Sequence, residues 1–157
     1  AASDVYKRQV GALAAKKEIM ECLAPLGDVY QAGTLSANPI AMIAGLTNLQ
    51  QLDNNFYADL NTKSQNLFSL LNDWLQKNEF NDYKLVTYES LFWLVPSDKE
   101  IIRPSLIPEN LMIRFDQLFK IFLEKGIYLS PNAYEIGFVS SPHDERVLED
   151  LKSRLWS

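Results

Sequence analysis

One cysteine, Cys22, and one histidine, His143, are all that 157 residues offer of the usual disulfide and metal chemistry. A single thiol excludes an internal disulfide framework, and one thiol with one imidazole cannot build an ordinary zinc site. Both side chains read as structural bystanders, and no metal is expected. Basic residues are also scarce: 15 Lys and Arg stand against 20 Asp and Glu, a formal charge of −5. With no basic stripe to neutralise a phosphate backbone, nucleic acid is excluded as a partner. Apolar runs fall short of the roughly 20 residues that span a bilayer, and no charged-then-apolar leader opens the chain. The expectation is a cytoplasmic (cytosolic) protein with no membrane partner. What is present, 47% hydrophobic and 22% charged residues, suits a soluble globular fold with a real core.

The opening residues 1–9 contain Asp4 to Gln9, DVYKRQ, which resembles the translation of a transposon adapter end rather than the start of a domain. They are read as a non-native scar. The native frame is then expected to begin near Val10 and to extend further upstream, so that the chain is a fragment. The acidic balance survives removal of Asp4, Lys7 and Arg8.

Two blocks follow. In the first, 10–78, Lys16 to Ala24 reads as a short helix stopped by Pro25 and Gly27. Asn38 as N-cap and Pro39 at the first helical position make the strongest helix start in the chain. Ala41, Ala44 and Gly45 at three- and four-residue spacing predict that this helix is buried against another backbone. Phe56, Leu60, Leu67, Leu71 and Trp74 then recur at helical spacing on a long amphipathic helix. Asn78 to Tyr83 reads as a polar hinge. In the second block, 79–157, strands are expected at Lys84 to Tyr88 and Leu91 to Val95, and a helix at Leu111 to Lys125 closed by Gly126. Further strands are expected at Ile127 to Leu129 and Ile136 to Val139, then a last helix capped by Ser141 with Pro142 at its first position.

Gly33-Thr34, ahead of the Asn38-Pro39 start, is a place where a phosphate can sit. Glycine permits close backbone approach, the threonine hydroxyl donates a hydrogen bond, and unsatisfied N–H groups attract an anion. Gly-Thr pairs are equally common in ordinary turns, and by itself the pair leaves both readings open.

The surrounding string is more specific. Ala32 to Pro39, AGTLSANP, resembles the G-T-L-S-G-N-P signature of the glutamate-1-semialdehyde 2,1-aminomutase family, in the class-III branch of fold-type-I pyridoxal-phosphate enzymes. The likeness runs upstream through Lys17 to Met20 and Ala24-Pro25, and downstream through Ala41-Met42 and Ala44-Gly45. It returns in Gly126 to Leu129, Pro131, Tyr134-Glu135, Gly137 to Ser140 and His143. The resemblance implies an α/β fold, the C-terminal part of a fold-type-I PLP-dependent transferase. The end of the large domain and a linking helix would occupy 10–78, and an α+β small domain 79–157.

It also implies roles. Thr34, helped by Gly33, would bind the phosphate of pyridoxal 5'-phosphate in a neighbouring subunit, making a homodimer necessary. Glu135 would lie near the small-molecule substrate and accept hydrogen bonds from its ammonium group, although a solvated turn carboxylate is the plainer reading. The parent enzyme would turn glutamate 1-semialdehyde into 5-aminolevulinate for tetrapyrrole (porphyrin) biosynthesis, the cofactor passing through its pyridoxamine form. No catalytic residue is assigned, because the Schiff-base lysine should precede the string that appears here as Val10 to Ala15. Lys16 and Lys17 lie beyond that string and cannot replace it, and the aspartate for the pyridine nitrogen should also lie upstream. The chain alone is therefore expected to be inactive.

Ala14, Ala15 and Ala37 replace family glycines, which puts any positive φ or close approach there in doubt. Pro142 is a fourth departure. Two rivals stand beside this reading. An ordinary class-III aminotransferase would usually present an arginine from the late small domain to a substrate carboxylate, yet no Arg or Lys lies between Gly126 and Glu145. A non-catalytic α/β interaction module would need no lysine upstream.

Overall fold

The computed structural model describes residues 11–97 and 99–157; the stretch 1–9 read as non-native lies outside the described residues. The chain divides into two compact units, Ala1–Asp53 and Asn54–Ser157.

In the first unit, helix α1 covers only Lys17–Met20. The expected helix to Ala24 is cut short because the chain turns back: Ala24 N–H donates to Val29 O at 2.9 Å and Val29 N–H to Cys22 O at 2.9 Å, forming an isolated parallel bridge between Leu23 and Val29. Helix α2, Pro39–Leu49, starts where the sequence places it. The Asn38 side chain accepts from the backbone N–H of Ile40 at 3.1 Å and of Ala41 at 3.2 Å, and Pro39 contributes no orphan donor. The expected burial of α2 fails. Ala41 is buried, but Ala44 is exposed, and Ile40, Ile43, Leu46 and Leu49 are all more than half exposed. A small-residue stripe invites a neighbouring backbone, and no described residue fills that place.

The second unit holds the core. Helix α3, Asn54–Lys77, buries Leu67, Phe68, Leu71, Trp74 and Leu75, the stripe that its periodicity predicts. Strands β1, Tyr83–Tyr88, and β2, Leu91–Pro96, form an antiparallel hairpin closed by Tyr88 opposite Leu91. The two-residue turn places Glu89 at φ +52. Helix α4, Leu111–Glu124, ends at Gly126 with φ +72. Gly126 N–H donates to Leu123 O at 2.9 Å and Ile127 N–H to Phe122 O at 2.7 Å, the paired closing bonds of a Schellman motif. Strand β3 is two residues, Gly137–Phe138, antiparallel to β2, giving sheet order β1-β2-β3. Helix α5, Glu145–Leu155, closes the unit.

Helix α3 packs on β1 and α5, and α4 packs on β2. Trp74 stacks on Phe80 with centroids 5.8 Å apart and meets Phe122 edge-on at 5.1 Å, while its indole N–H donates to Leu155 O at 2.8 Å. The polar stretch 78–83 read as a hinge lies inside this unit, since Phe80 and Tyr83 are buried; the division falls before α3, whose apolar stripe covers the sheet. Two local expectations are corrected. Ile127 to Leu129 forms no strand, because it leaves the Schellman turn with no ladder partner and contributes only packing. The cap of α5 is Asp144, whose carboxylate accepts from Val147 N–H at 3.1 Å, rather than Ser141, because His143 N–H is already turned onto Ser140 O at 2.9 Å.

Candidate functional site

Two separate loops carry the residues singled out by sequence. The first, 33–38, leads into α2. Ser36 N–H donates to Gly33 O at 2.9 Å and Asn38 N–H to Leu35 O at 3.2 Å, so the backbone folds twice in six residues. Gly33 has so little room that an added Cβ would sit 2.9 Å from Ser36 Oγ. Thr34 is exposed, and among the described residues its hydroxyl and backbone N–H make no hydrogen bond within the chain, nor does the N–H of Leu35. The first N–H groups of α2 differ, being occupied by Asn38, so whatever anion binding the loop offers belongs to the Gly-Thr turn and not to the helix terminus.

Ala37 resolves a question the sequence left open. It stands at φ +56, the left-handed region that a Cβ disfavours by roughly 1–2 kcal/mol. The family glycine at this place is thus replaced by alanine without a change to an ordinary backbone angle. Ala14 and Ala15 are exposed and show no positive φ.

The second loop runs from Leu129 to Gly137 and carries Glu135. It is held from within: Asn132 N–H donates to Ser130 Oγ at 3.3 Å, Tyr134 N–H to Asn132 Oδ1 at 3.1 Å, and Glu135 N–H to Asn132 O at 3.0 Å. It is also held from the sheet. The Trp93 indole N–H on β2 donates to Ala133 O at 2.6 Å, Gly137 pairs with Phe92, and Val139 N–H donates to Ser90 O at 2.8 Å. Glu135 borders a small cleft with Phe92, Leu94, Phe115, Leu129, Ser130, Ile136 and Gly137, about 70 Å³ in volume. Small-molecule sites usually enclose roughly 300–1,000 Å³, so this cleft forms one wall of a site at most. Gly137 belongs there for a steric reason, since a Cβ would meet the Phe92 ring at 2.2 Å.

The two lone residues have modest places. Cys22 is exposed, its thiol directed at Glu18 O at 3.6 Å. His143 Nδ1 accepts from Ser140 N–H at 3.0 Å, bracing the turn before α5. Lys17 is exposed and lies 3.6 Å from Glu21. Sequence reasoning missed Trp93 and the Phe92–Gly137 contact; the signal in reach was an aromatic pair in a strand whose neighbour is a glycine. It also missed Tyr83, buried with no hydrogen-bond partner for its hydroxyl, beneath the guanidinium of Arg114, which pairs with Asp82 at 2.9 Å. Burial, reinforced by Asp82 and opposed by Arg114, pushes the Tyr83 phenol up to about 12. Among the described residues no helix is long and apolar enough to cross a membrane.

No protein-family profile matches the chain, but individual proteins do. Over 141 residues it is 39% identical to the glutamate-1-semialdehyde 2,1-aminomutase of Leptospira interrogans, covering 88% of this chain and 32% of that protein. The aminomutase of Bdellovibrio bacteriovorus is 42% identical over 142 residues, with coverage of 89% and 33%. An omega-transaminase from Sphaerobacter thermophilus superposes with a TM-score of 0.72 at 23% identity, over 88% of this chain and 32% of its own. A beta-phenylalanine aminotransferase from Variovorax paradoxus gives 0.71 at 19%, over 89% and 32%. The chain spans about a third of the length of the curated relatives it matches. In sequence this chain is related to a segment of the glutamate-1-semialdehyde 2,1-aminomutases, and its fold matches about a third of the chain of solved transaminases.

Proposed function

We propose that this chain supplies the phosphate-gripping loop and the substrate-facing small domain of a cytoplasmic, homodimeric glutamate-1-semialdehyde 2,1-aminomutase, which makes 5-aminolevulinate for tetrapyrrole synthesis. The observation that carries the reading is identity of about 40% to aminomutases across nearly the whole chain, with Gly33 and Thr34 exposed on a tight loop.

Pyridoxal 5'-phosphate, in its pyridoxal and pyridoxamine forms, supplies the electron sink for exchanging an amino and an oxo group within one molecule. The residues of this chain bind and orient. The Thr34 hydroxyl donates to a phosphate oxygen of the cofactor held by the neighbouring subunit, a charge-assisted bond stronger than its neutral counterpart, and Gly33 lets the backbone come close. The free N–H groups of Thr34 and Leu35 suit the same anion. Glu135, exposed at the rim of the cleft walled by Phe92, Leu94 and Phe115, accepts hydrogen bonds from the substrate ammonium group. The cofactor-bonding lysine and the pyridine-pairing aspartate belong to the rest of the protein, which makes this chain alone inactive.

An aminotransferase acting between an amino acid and a keto acid is the second reading, supported by the transaminase fold. The stretch from Gly126 to Glu145 lacks any Arg or Lys to receive a second carboxylate, which favours the aminomutase. The complete protein carrying this segment is expected to convert glutamate 1-semialdehyde to 5-aminolevulinate with no added amino donor or keto acid. Strict dependence on a keto acid overturns the proposal in favour of the aminotransferase, and product formation by the 157-residue chain alone contradicts the placing of the lysine.

A further inference from the structure

The loop that presents Glu135 is fastened to the sheet by one side chain, and we propose that Trp93 is the positioning residue for Glu135. The inference rests on the reading of Glu135 as substrate-facing and goes beyond it by naming what holds that carboxylate in place.

Four observations converge. The Trp93 indole N–H donates to Ala133 O at 2.6 Å, the shortest of the side-chain-to-backbone bonds on this loop. Ala133 is 1% exposed, so its carbonyl has no water to fall back on, and removing the indole leaves a buried acceptor unpaired. Ala133 lies two residues before Glu135, inside the tight turns by which Asn132 receives Tyr134 N–H and Glu135 N–H. At the other end the loop is already tied by the Gly137–Phe92 pairing and the Val139–Ser90 bond. Trp93 therefore converts a loop anchored at its C-terminal end into one anchored at both. Trp93 sits in the middle of β2, opposite Val86, so the anchor is itself carried by regular structure and not by another loop.

The three tryptophans provide internal references in the unaltered chain. Trp74 is buried and bonded to Leu155 O at 2.8 Å, whereas Trp156 is 46% exposed. Indole N–H exchange measured by NMR is expected to be slow at Trp93, as at Trp74, and fast at Trp156; exchange at Trp93 as fast as at Trp156 overturns the proposal without any variant being made. In Trp93→Phe, which keeps an aromatic ring and removes the donor, protection of the Tyr134 and Glu135 amides is expected to fall about tenfold, the scale of one lost hydrogen bond, while protection in α3 is unchanged. Equal loss in α3 means general unfolding and counts against a positioning role.

The functional half is read in the complete enzyme by a double-mutant comparison. Trp93→Phe is expected to raise KM for the substrate in the parent protein and to have no further effect in a Glu135→Ala background. Independent, additive effects overturn the proposal while leaving Glu135 as a substrate contact. A neutral Glu135→Ala instead removes the substrate reading, and the functional half of the proposal with it, even where Trp93 exchanges slowly.

Discussion

At the scale of single residues, two side chains separate chemistry from packing. Thr34 is exposed, and its hydroxyl makes no hydrogen bond among the described residues, so its removal is expected to leave the fold alone. Thr34→Val in the complete protein is expected to weaken retention of pyridoxal 5'-phosphate by about ten- to a hundredfold, from the roughly 1.5–3 kcal/mol of a hydrogen bond to a charged group; equilibrium dialysis with unchanged affinity removes Thr34 from the phosphate site. Tyr83 is the opposite case. The folded protein holds its phenolic proton to about 12, against 10.0 for a free phenol. Its contribution to stability is therefore complete below pH 10 and is lost as pH rises from there toward 12. Denaturant melts between those values are expected to show a fall in stability that Tyr83→Phe largely abolishes. The same fall in the Phe variant assigns it to other groups. Neither residue was equally legible in the sequence: Thr34 stood in a recognisable string, whereas the burial of Tyr83 depends on α4 bringing Arg114 over its ring.

At the scale of elements, local chemistry was readable wherever a segment determines its own shape. The Asn38-Pro39 start, the stripe of α3, the hairpin around Glu89-Ser90 and the Gly126 stop all appear as their residues predict. What escaped depends on partners. Ile127 to Leu129 has the composition of a strand and no neighbour to pair with, and Ser141 lost the cap of α5 to Asp144 because His143 and Ser140 spend the intervening residues on a turn. The stripe of Ala41, Ala44 and Gly45 foretold close packing that among the described residues reaches only Ala41. In the loop ahead of α2, Ala37 carries a left-handed backbone that alanine resists. Ala37→Gly is expected to stabilise loop and helix by about 1 kcal/mol, raising amide protection in α2 roughly fivefold. Asn38→Ala should lower it by a similar amount through loss of the cap. Hydrogen exchange of Met42 to Leu46 reads both, and an unchanged rate in Ala37→Gly denies that the φ is strained.

At the scale of the whole molecule, the second unit owns a core and the first largely does not. Leu111, Leu118, Leu75 and Val95 are fully buried in the one, whereas Ile40, Ile43, Leu46 and Leu49 are exposed in the other. Contiguous apolar surface of that kind drives association. The 157-residue chain is expected to self-associate at micromolar concentration in sedimentation, and Ile43→Glu to reduce it; a strictly monomeric parent chain contradicts this. The split also explains why fold and site were unequally legible. The sheet-and-helix unit is written in its own periodicity, whereas the roles expected of Thr34 and Glu135 came only from resemblance to whole enzymes.

The claim on which most depends is that Thr34 serves the partner's active site. It is tested most directly in the complete enzyme, at cofactor too dilute to fill the Thr34→Val protein, by mixing that variant with subunits lacking the cofactor-bonding lysine. If Thr34 acts across the dimer, the hybrid contains one site with both an intact lysine and an intact threonine, and activity returns on mixing. If Thr34 acts within its own subunit, every site in the hybrid keeps one defect, and a mixture no more active than its components contradicts the assignment.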